Sequence, residues 1–293
     1  MSAPAVVLDN LTVSYRQHPA LHHVSGAFAQ GSLTAVIGPN GAGKSTLVKS
    51  IAGLLPRGHR STSAALRVLV EAGQMAYLPQ QSELDRNFPM RVGDCVLLGV
   101  WRRTGAFGTT TPAQRSQVDA ALEAVGLQGF AQRPVGTLSS GQMQRVLFAR
   151  VLVQDAALIL LDEPFTAMDS KTTAALLQVV LQWQDQGRTV IAVLHDDAQV
   201  RRFFPQTLLL ARECIAWGPT EQVLTGANLQ RAQAMAEAWD ETAALCDLDG
   251  TLDGQAFDAL LAQKLAHALG AAESPVASSH SHWDAVPTLG RQP

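Results

Sequence analysis

Nine residues, Gly38-Pro-Asn-Gly-Ala-Gly-Lys-Ser-Thr46, constrain this chain more than any other stretch. They fit the pattern G-x-x-x-x-G-K-[ST], a loop that cradles phosphates with its own backbone. Gly38, Gly41 and Gly43 let the chain curl tightly and bring N–H groups close to phosphate oxygens, where a side chain would block the approach. Leu33 to Ile37 (LTAVI) predicts a short buried strand before the loop, and Ser45 to Ala52 predicts a helix after it. The phosphates then sit at a helix N-terminus. Lys44 is expected to reach the β- and γ-phosphates, and the Ser45 hydroxyl to ligate Mg²⁺.

Two further stretches carry chemistry. Leu158 to Glu163 reads LILLDE: four apolar residues make a buried strand that delivers two carboxylates at its C-terminal end. Asp162 is placed to hold Mg²⁺ through water, and Glu163 to polarise an attacking water. Leu138-Ser-Ser-Gly-Gln142 precedes a helical stretch, GQMQRVLFARVLVQ. Ser139, Ser140, Gly141 and Gln142 open that helix, where a hydroxyl and free backbone N–H groups can grip an anion.

With these motifs in this order, the chain resembles the nucleotide-binding subunit of ATP-binding cassette (ABC) transporters, over roughly residues 4 to 225. Leu138 to Gln142 matches the signature peptide of that family. The resemblance implies an α/β fold: a P-loop cassette with a RecA-like core, an antiparallel β subdomain and a helical subdomain at about residues 82–153. It implies that residues 38 to 46 (Gly38, Pro39, Asn40, Gly41, Ala42, Gly43, Lys44, Ser45, Thr46) bind ATP. Tyr15 matches the aromatic that stacks on adenine. Gln80, in Tyr-Leu-Pro-Gln, matches the glutamine that touches Mg²⁺ and senses the membrane subunit, with Gln81 as the adjacent alternative. Asp169 matches the loop that crosses to a second subunit, and His195 matches the histidine that contacts the γ-phosphate. The signature peptide of the family grips the γ-phosphate held by the opposite subunit, so two copies are expected to pack head to tail. ATP and Mg²⁺ are the implied cofactors.

Composition bounds the setting. The chain has 293 residues, and its longest apolar runs fall far short of the ~20 residues of a membrane helix. MSAPAVVLDN lacks the basic and apolar regions of a signal peptide. Cys95, Cys214 and Cys246 have no metal-ligand spacing and suit a reducing compartment. A soluble or peripheral protein on the cytoplasmic side of the inner membrane is expected, served by separate integral membrane permease subunits and, indirectly, by a solute-binding protein. Residues 1–225 carry 19 basic and 16 acidic side chains, whereas residues 226–293 carry 3 and 9. This charge break suggests a boundary near Gly226 between cassette and extension. The balance gives no argument for nucleic-acid binding.

Short apolar strands alternate with amphipathic helices, as at Ala113 to Val125 and Ala174 to Gln184. Val6 to Tyr15 and Leu66 to Leu78 read as the antiparallel part. No heptad arm is visible, which counts against DNA-repair and chromosome-organising relatives. Asp85 to Asp94, with Val96 to Gly99 and Trp101 to Gly108, resembles the cassettes of zinc, manganese or iron importers. Phe88, Trp101 and Phe107 are expected to meet the permease, and Arg102 and Arg103 to pair with its acids. Iron–siderophore and cobalamin importers have similar ATPases. A soluble ABC factor without a transport role is a further alternative, although such relatives usually carry two cassettes or long arms.

In the extension, Leu229 to Leu245 and Gln255 to Leu269 predict two helices, and residues 271–293 read as disordered. His280, His282 and Asp284 have metal-binding chemistry, but a solvated tail accounts for them. Asp247-Leu-Asp-Gly-Thr251 imitates a phosphatase nucleophile motif, but only 42 residues follow it. That is too few for the α/β domain such an enzyme needs, so a turn between helices is expected.

Overall fold

The computed structural model describes residues 3–15, 18–56, 59–61, 66–71, 73–80, 89–101 and 109–237. In chain order the elements are β1 (Pro4–Tyr15), β2 (His18–Ala29), β3 (Leu33–Ile37), α1 (Lys44–Ala52), β4 (His59–Ser61), β5 (Leu66–Val68) and β6 (Met75–Leu78). There follow α2 (Val92–Leu97), α3 (Pro112–Ala124), α4 (Ser140–Gln154), β7 (Leu158–Asp162), α5 (Ser170–Asp185), β8 (Thr189–Val193) and α6 (Asp197–Phe203). The last are β9 (Gln206–Ala211), β10 (Glu213–Pro219), α7 (Thr220–Val223) and α8 (Gly226–Glu237).

Every residue of β3, β7 and β8 is buried, which is why these strands are mostly apolar rather than alternating, with Thr34, Asp162 and Thr189 as their buried polar residues. They lie side by side in a six-stranded sheet of order β10-β9-β3-β8-β7-β6, parallel except for β10 at its edge. Register sets the site. Val36 pairs with Val193 and Val193 with Asp162, so the segments that leave these three strands emerge in one row. Leu78 pairs with Leu161, which brings Gln80 level with Glu163.

A second sheet joins β2, β1 and β4, with β5 also paired to β1, all antiparallel. The expected antiparallel stretch from Leu66 to Leu78 therefore divides. Leu66–Val68 pairs with β1, whereas Met75–Leu78 joins the central sheet parallel to β7. Both pieces are short, and apolar content alone does not say which sheet claims a strand.

Two cores follow. One lies between the sheets and takes in Leu47, Val48 and Ile51 of α1 with Phe28 of β2. The other joins α2, α3 and α4 to the opposite face of the central sheet, where Phe148 stacks on Trp183 with ring centroids 5.3 Å apart. Such a pair adds about 0.5–1.5 kcal/mol beyond its buried area. Capping fixes where helices begin. Thr111 and Gln114 cap α3 reciprocally, and Asp169 caps α5, which starts four residues before the predicted Ala174.

Charge changes near Gly226, but the core continues past it: Ala232 of α8 is buried, and Leu229 and Met235 pack against the same cluster. Gln81, Phe88, Arg102, Arg103, Phe107 and Cys246 lie outside the described residues, as do Asp247 to Thr251, the predicted second helix at 255–269, and the tail with His280, His282 and Asp284. Trp101 is described and is 54% exposed. Among the described residues no helix is long and apolar enough to cross a membrane.

Candidate functional site

The phosphate loop runs from β3 into α1. Gly38 has φ 150° and Gly43 φ 88°, and a Cβ on them would lie 1.9 Å from the Leu210 oxygen and 2.2 Å from the Ala20 oxygen. The glycines are thus required twice, by backbone conformation and by close approach of neighbouring strands. Lys44 is only 6% exposed, and its Nζ donates to the carbonyl oxygens of Gly38 (2.8 Å) and Pro39 (2.9 Å). The ammonium is therefore folded over its own loop. Burial pulls its pKa below the usual lysine value, while Glu163 and Asp162 act the other way. Asn40 and Gly41 are exposed, Ala42 is buried, and Pro39 and Thr46 are half-buried.

At the end of β7, Asp162 is fully buried and accepts a 3.0 Å hydrogen bond from Ser45 Oγ. Glu163 follows in a left-handed conformation, φ 50°, rare for a residue with a Cβ and a form of strain that concentrates at working sites. Its carboxylate gathers side chains from two other segments and from the turn that follows it. His195 Nε2 lies 2.7 Å from Oε1. Gln80 Nε2 donates to Oε2 at 3.1 Å, and Thr166 Oγ1 does so at 3.4 Å. Burial acts to raise the Glu163 pKa, but the bond and charge of His195, the Gln80 bond and the Lys44 charge together hold it below the usual value. The carboxylate is ionised and pointed. A cavity of about 630 Å³ opens beside Glu163 and His195, between α5 and α6.

The signature segment forms a separate pocket of about 430 Å³, lined by Ser139, Gly141, Arg145, Ala167 and Asp169 among others. Ser139 Oγ accepts from Gln142 N and Gln142 Oε1 accepts from Ser139 N, a reciprocal cap on α4. Ser140 and Gln142 are half-buried. Asp169 is exposed and is bonded at both oxygens to Thr172, first through the backbone N–H, which lowers its pKa. Neither Lys44 nor Glu163 lines this pocket. One chain therefore brings Lys44, Ser45, Gln80, Asp162, Glu163 and His195 together, and holds the signature residues elsewhere. Tyr15 stands half-buried at the end of β1, its backbone paired with His18 and His59.

Two contributors went unread in the sequence. Thr166 reaches Glu163 only because the chain folds back after Pro164. Gln144 is 1% exposed on the apolar face of α4 and donates to the Glu163 carbonyl at 3.4 Å. A glutamine among Met143, Val146 and Leu147 was the available signal, since a buried amide needs a partner.

A phosphate loop, a buried carboxylate facing its hydroxyl and an ionised, oriented second carboxylate fit a nucleoside-triphosphate hydrolase of the α/β class. The profile of the family described as "ABC transporter" matches residues 21–166. The manganese transport system ATP-binding protein MntB of Listeria monocytogenes is 39% identical over 226 residues, covering 77% of this chain and 94% of that one. The zinc transport system ATP-binding protein TroB of Treponema pallidum is 40% identical over 236 residues, covering 79% and 87%. Among solved structures, the dimeric bacterial ABC transporter cassette MJ0796 superposes with a TM-score of 0.63 at 26% identity, covering 73% of this chain and 98% of that one. The chain belongs to the ABC transporter family, and it is an ATPase.

Proposed function

We propose that this ATPase powers a binding-protein-dependent importer of a transition-metal ion, zinc or manganese. The observation that carries the reading is the similarity, over 77–79% of this chain, to manganese and zinc transport system ATP-binding proteins. The proposed cassette spans residues 1–225, with the helical subdomain at about 82–153, a helical extension over 226–270 and a tail over 271–293.

In this reading residues 38–46 hold the ATP phosphates and Lys44 leaves its loop carbonyls to meet them. Tyr15 carries the adenine. Ser45, Gln80 and Asp162 offer a hydroxyl, an amide oxygen and a buried carboxylate, a hard oxygen set that fits Mg²⁺. When bound there, Mg²⁺ would neutralise phosphate charge. Glu163, ionised and aimed by His195 and Gln80, orients the attacking water and draws its proton. Ser139, Ser140, Gly141 and Gln142 serve the nucleotide of a second copy of the chain, and Asp169 crosses to that copy. Separation of the signature pocket from Lys44 and Glu163 within one chain supports this division. The dimer sits peripherally on the cytoplasmic face of the membrane, docked to integral membrane permease subunits.

The test is the metal content of cells under metal limitation, carrying either the natural chain or Lys44→Ala. A selective fall in zinc or manganese in the variant is the expected result and names the ion. Unchanged levels of every metal would refute metal import and leave the ATPase intact.

A further inference from the structure

The two ends of a nucleotide site belong here to different sheets. The phosphate loop leaves β3 of the six-stranded sheet, and Tyr15 ends β1 of the four-stranded sheet. Base and phosphates of one ligand are covalently joined and so span a limited range of distances, and both are gripped at the least ordering cost when the two pieces hold their relative position.

Arg212, in the turn between β9 and β10, bonds to both pieces. Its backbone N–H donates to the Ala42 oxygen of the phosphate loop at 2.8 Å. Its own oxygen accepts from His22 N of β2 at 2.9 Å. Its Nη1 donates to the Pro19 oxygen at 2.9 Å. Pro19 pairs with Ser14, and the next pair along is Tyr15 with His18, so the guanidinium ties the hairpin close to its Tyr15 end. The neighbouring Glu213 Oε1 lies 2.9 Å from His22 Nδ1 and reinforces the same seam. Arg212 also has φ 61°, a conformation that favours glycine. An arginine held there is a local cost that a positioning role explains.

We propose that Arg212 is a positioning residue for nucleotide binding. Its guanidinium sets the Tyr15 end of the hairpin relative to the phosphate loop. The inference rests on the reading of Tyr15 as the adenine platform.

Purified full-length chain is titrated calorimetrically with MgATP and, separately, with inorganic tripolyphosphate. Arg212→Gly suits the left-handed turn and keeps both backbone bonds while removing the guanidinium. Arg212→Lys keeps a charged donor. Tyr15→Ala reports on the platform itself. In Arg212→Gly, ATP affinity is expected to fall about threefold to tenfold, with tripolyphosphate affinity unchanged, and Arg212→Lys to restore most of the loss. Tyr15→Ala is expected to lose about fivefold or more for ATP alone. Equal loss of both ligands in Arg212→Gly, or no loss of ATP affinity while Tyr15→Ala loses it, overturns the positioning role and leaves the platform standing. Unchanged ATP affinity in Tyr15→Ala overturns the platform reading and the positioning role with it. Should Arg212→Gly fail to fold, Arg212→Asn, whose short side chain also tolerates the left-handed turn, takes its place: a fall in the ATP-to-tripolyphosphate affinity ratio supports the role, and an unchanged ratio refutes it.

Discussion

Gly141 lies in the first turn of α4, and a Cβ built there would sit 2.7 Å from the carbonyl oxygen of Ala167. Ordinary van der Waals contact begins at 3.4 Å, so Gly141→Ala must push helix and loop apart by about 0.7 Å. The loop has little freedom to give, because Ala167 (φ 61°) and Glu163 (φ 50°) both already occupy the left-handed region. Overpacking costs about 1–3 kcal/mol. Alanine in place of glycine returns about 0.5–1 kcal/mol through helix propensity. The net loss of stability is therefore about 0–2.5 kcal/mol, a fall in melting temperature of a few degrees for a domain of this size. Function should suffer far more. The displaced segment connects Glu163 to Asp169, and a shift approaching 1 Å in a catalytic constellation costs up to about 100-fold in rate. The expected result is a folded variant that binds ATP as the natural chain does, melts slightly lower, and hydrolyses ATP at least about tenfold more slowly. Steady-state ATPase assay, ATP titration and thermal unfolding on the same preparations check this. Natural turnover in Gly141→Ala would refute the claim that the α4 contact holds the Glu163 segment, and loss of ATP binding would refute the separation of the two pockets.

Glu163→Gln removes the proposed base while preserving shape, and should bind ATP but lower turnover by about 100-fold or more; hydrolysis at the natural rate would sink that assignment. Ser139→Ala breaks the reciprocal cap of α4 and should cost about 1 kcal/mol of stability, with ATPase activity reduced and binding of ATP to the isolated chain unaltered. The third concerns pH. Folding holds the Glu163 pKa below its ordinary 4.5, so its stabilising contribution is complete above that value and is lost as pH falls through the lower native value. Thermal unfolding of the natural chain against Glu163→Gln from about pH 7 to 3.5 should show a constant difference above pH 4.5 that then moves in favour of the glutamine variant. A difference that moves at neutral pH would point to another group.

Local patterns carried much of the fold. The apolar run before Asp162, the glycines at 38, 41 and 43, and the polar residues that open α4 each act within a few neighbours, so spacing alone locates them. What spacing does not encode is which distant segments meet. Met75–Leu78 was drawn into the parallel sheet by pairing with β7, and that register set Gln80 beside Glu163. The gathering of Gln80, Thr166 and His195 on the Glu163 carboxylate draws in side chains from as far as 83 positions along the chain. Left-handed backbone at Glu163, Ala167 and Arg212 has no signature in residue type, because it is imposed by surroundings rather than chosen by the side chain. Chemistry was thus legible wherever it depends on neighbours along the chain. The orientation of that chemistry was decided by strand order, where pairing energy and close packing, not local preference, choose the partners.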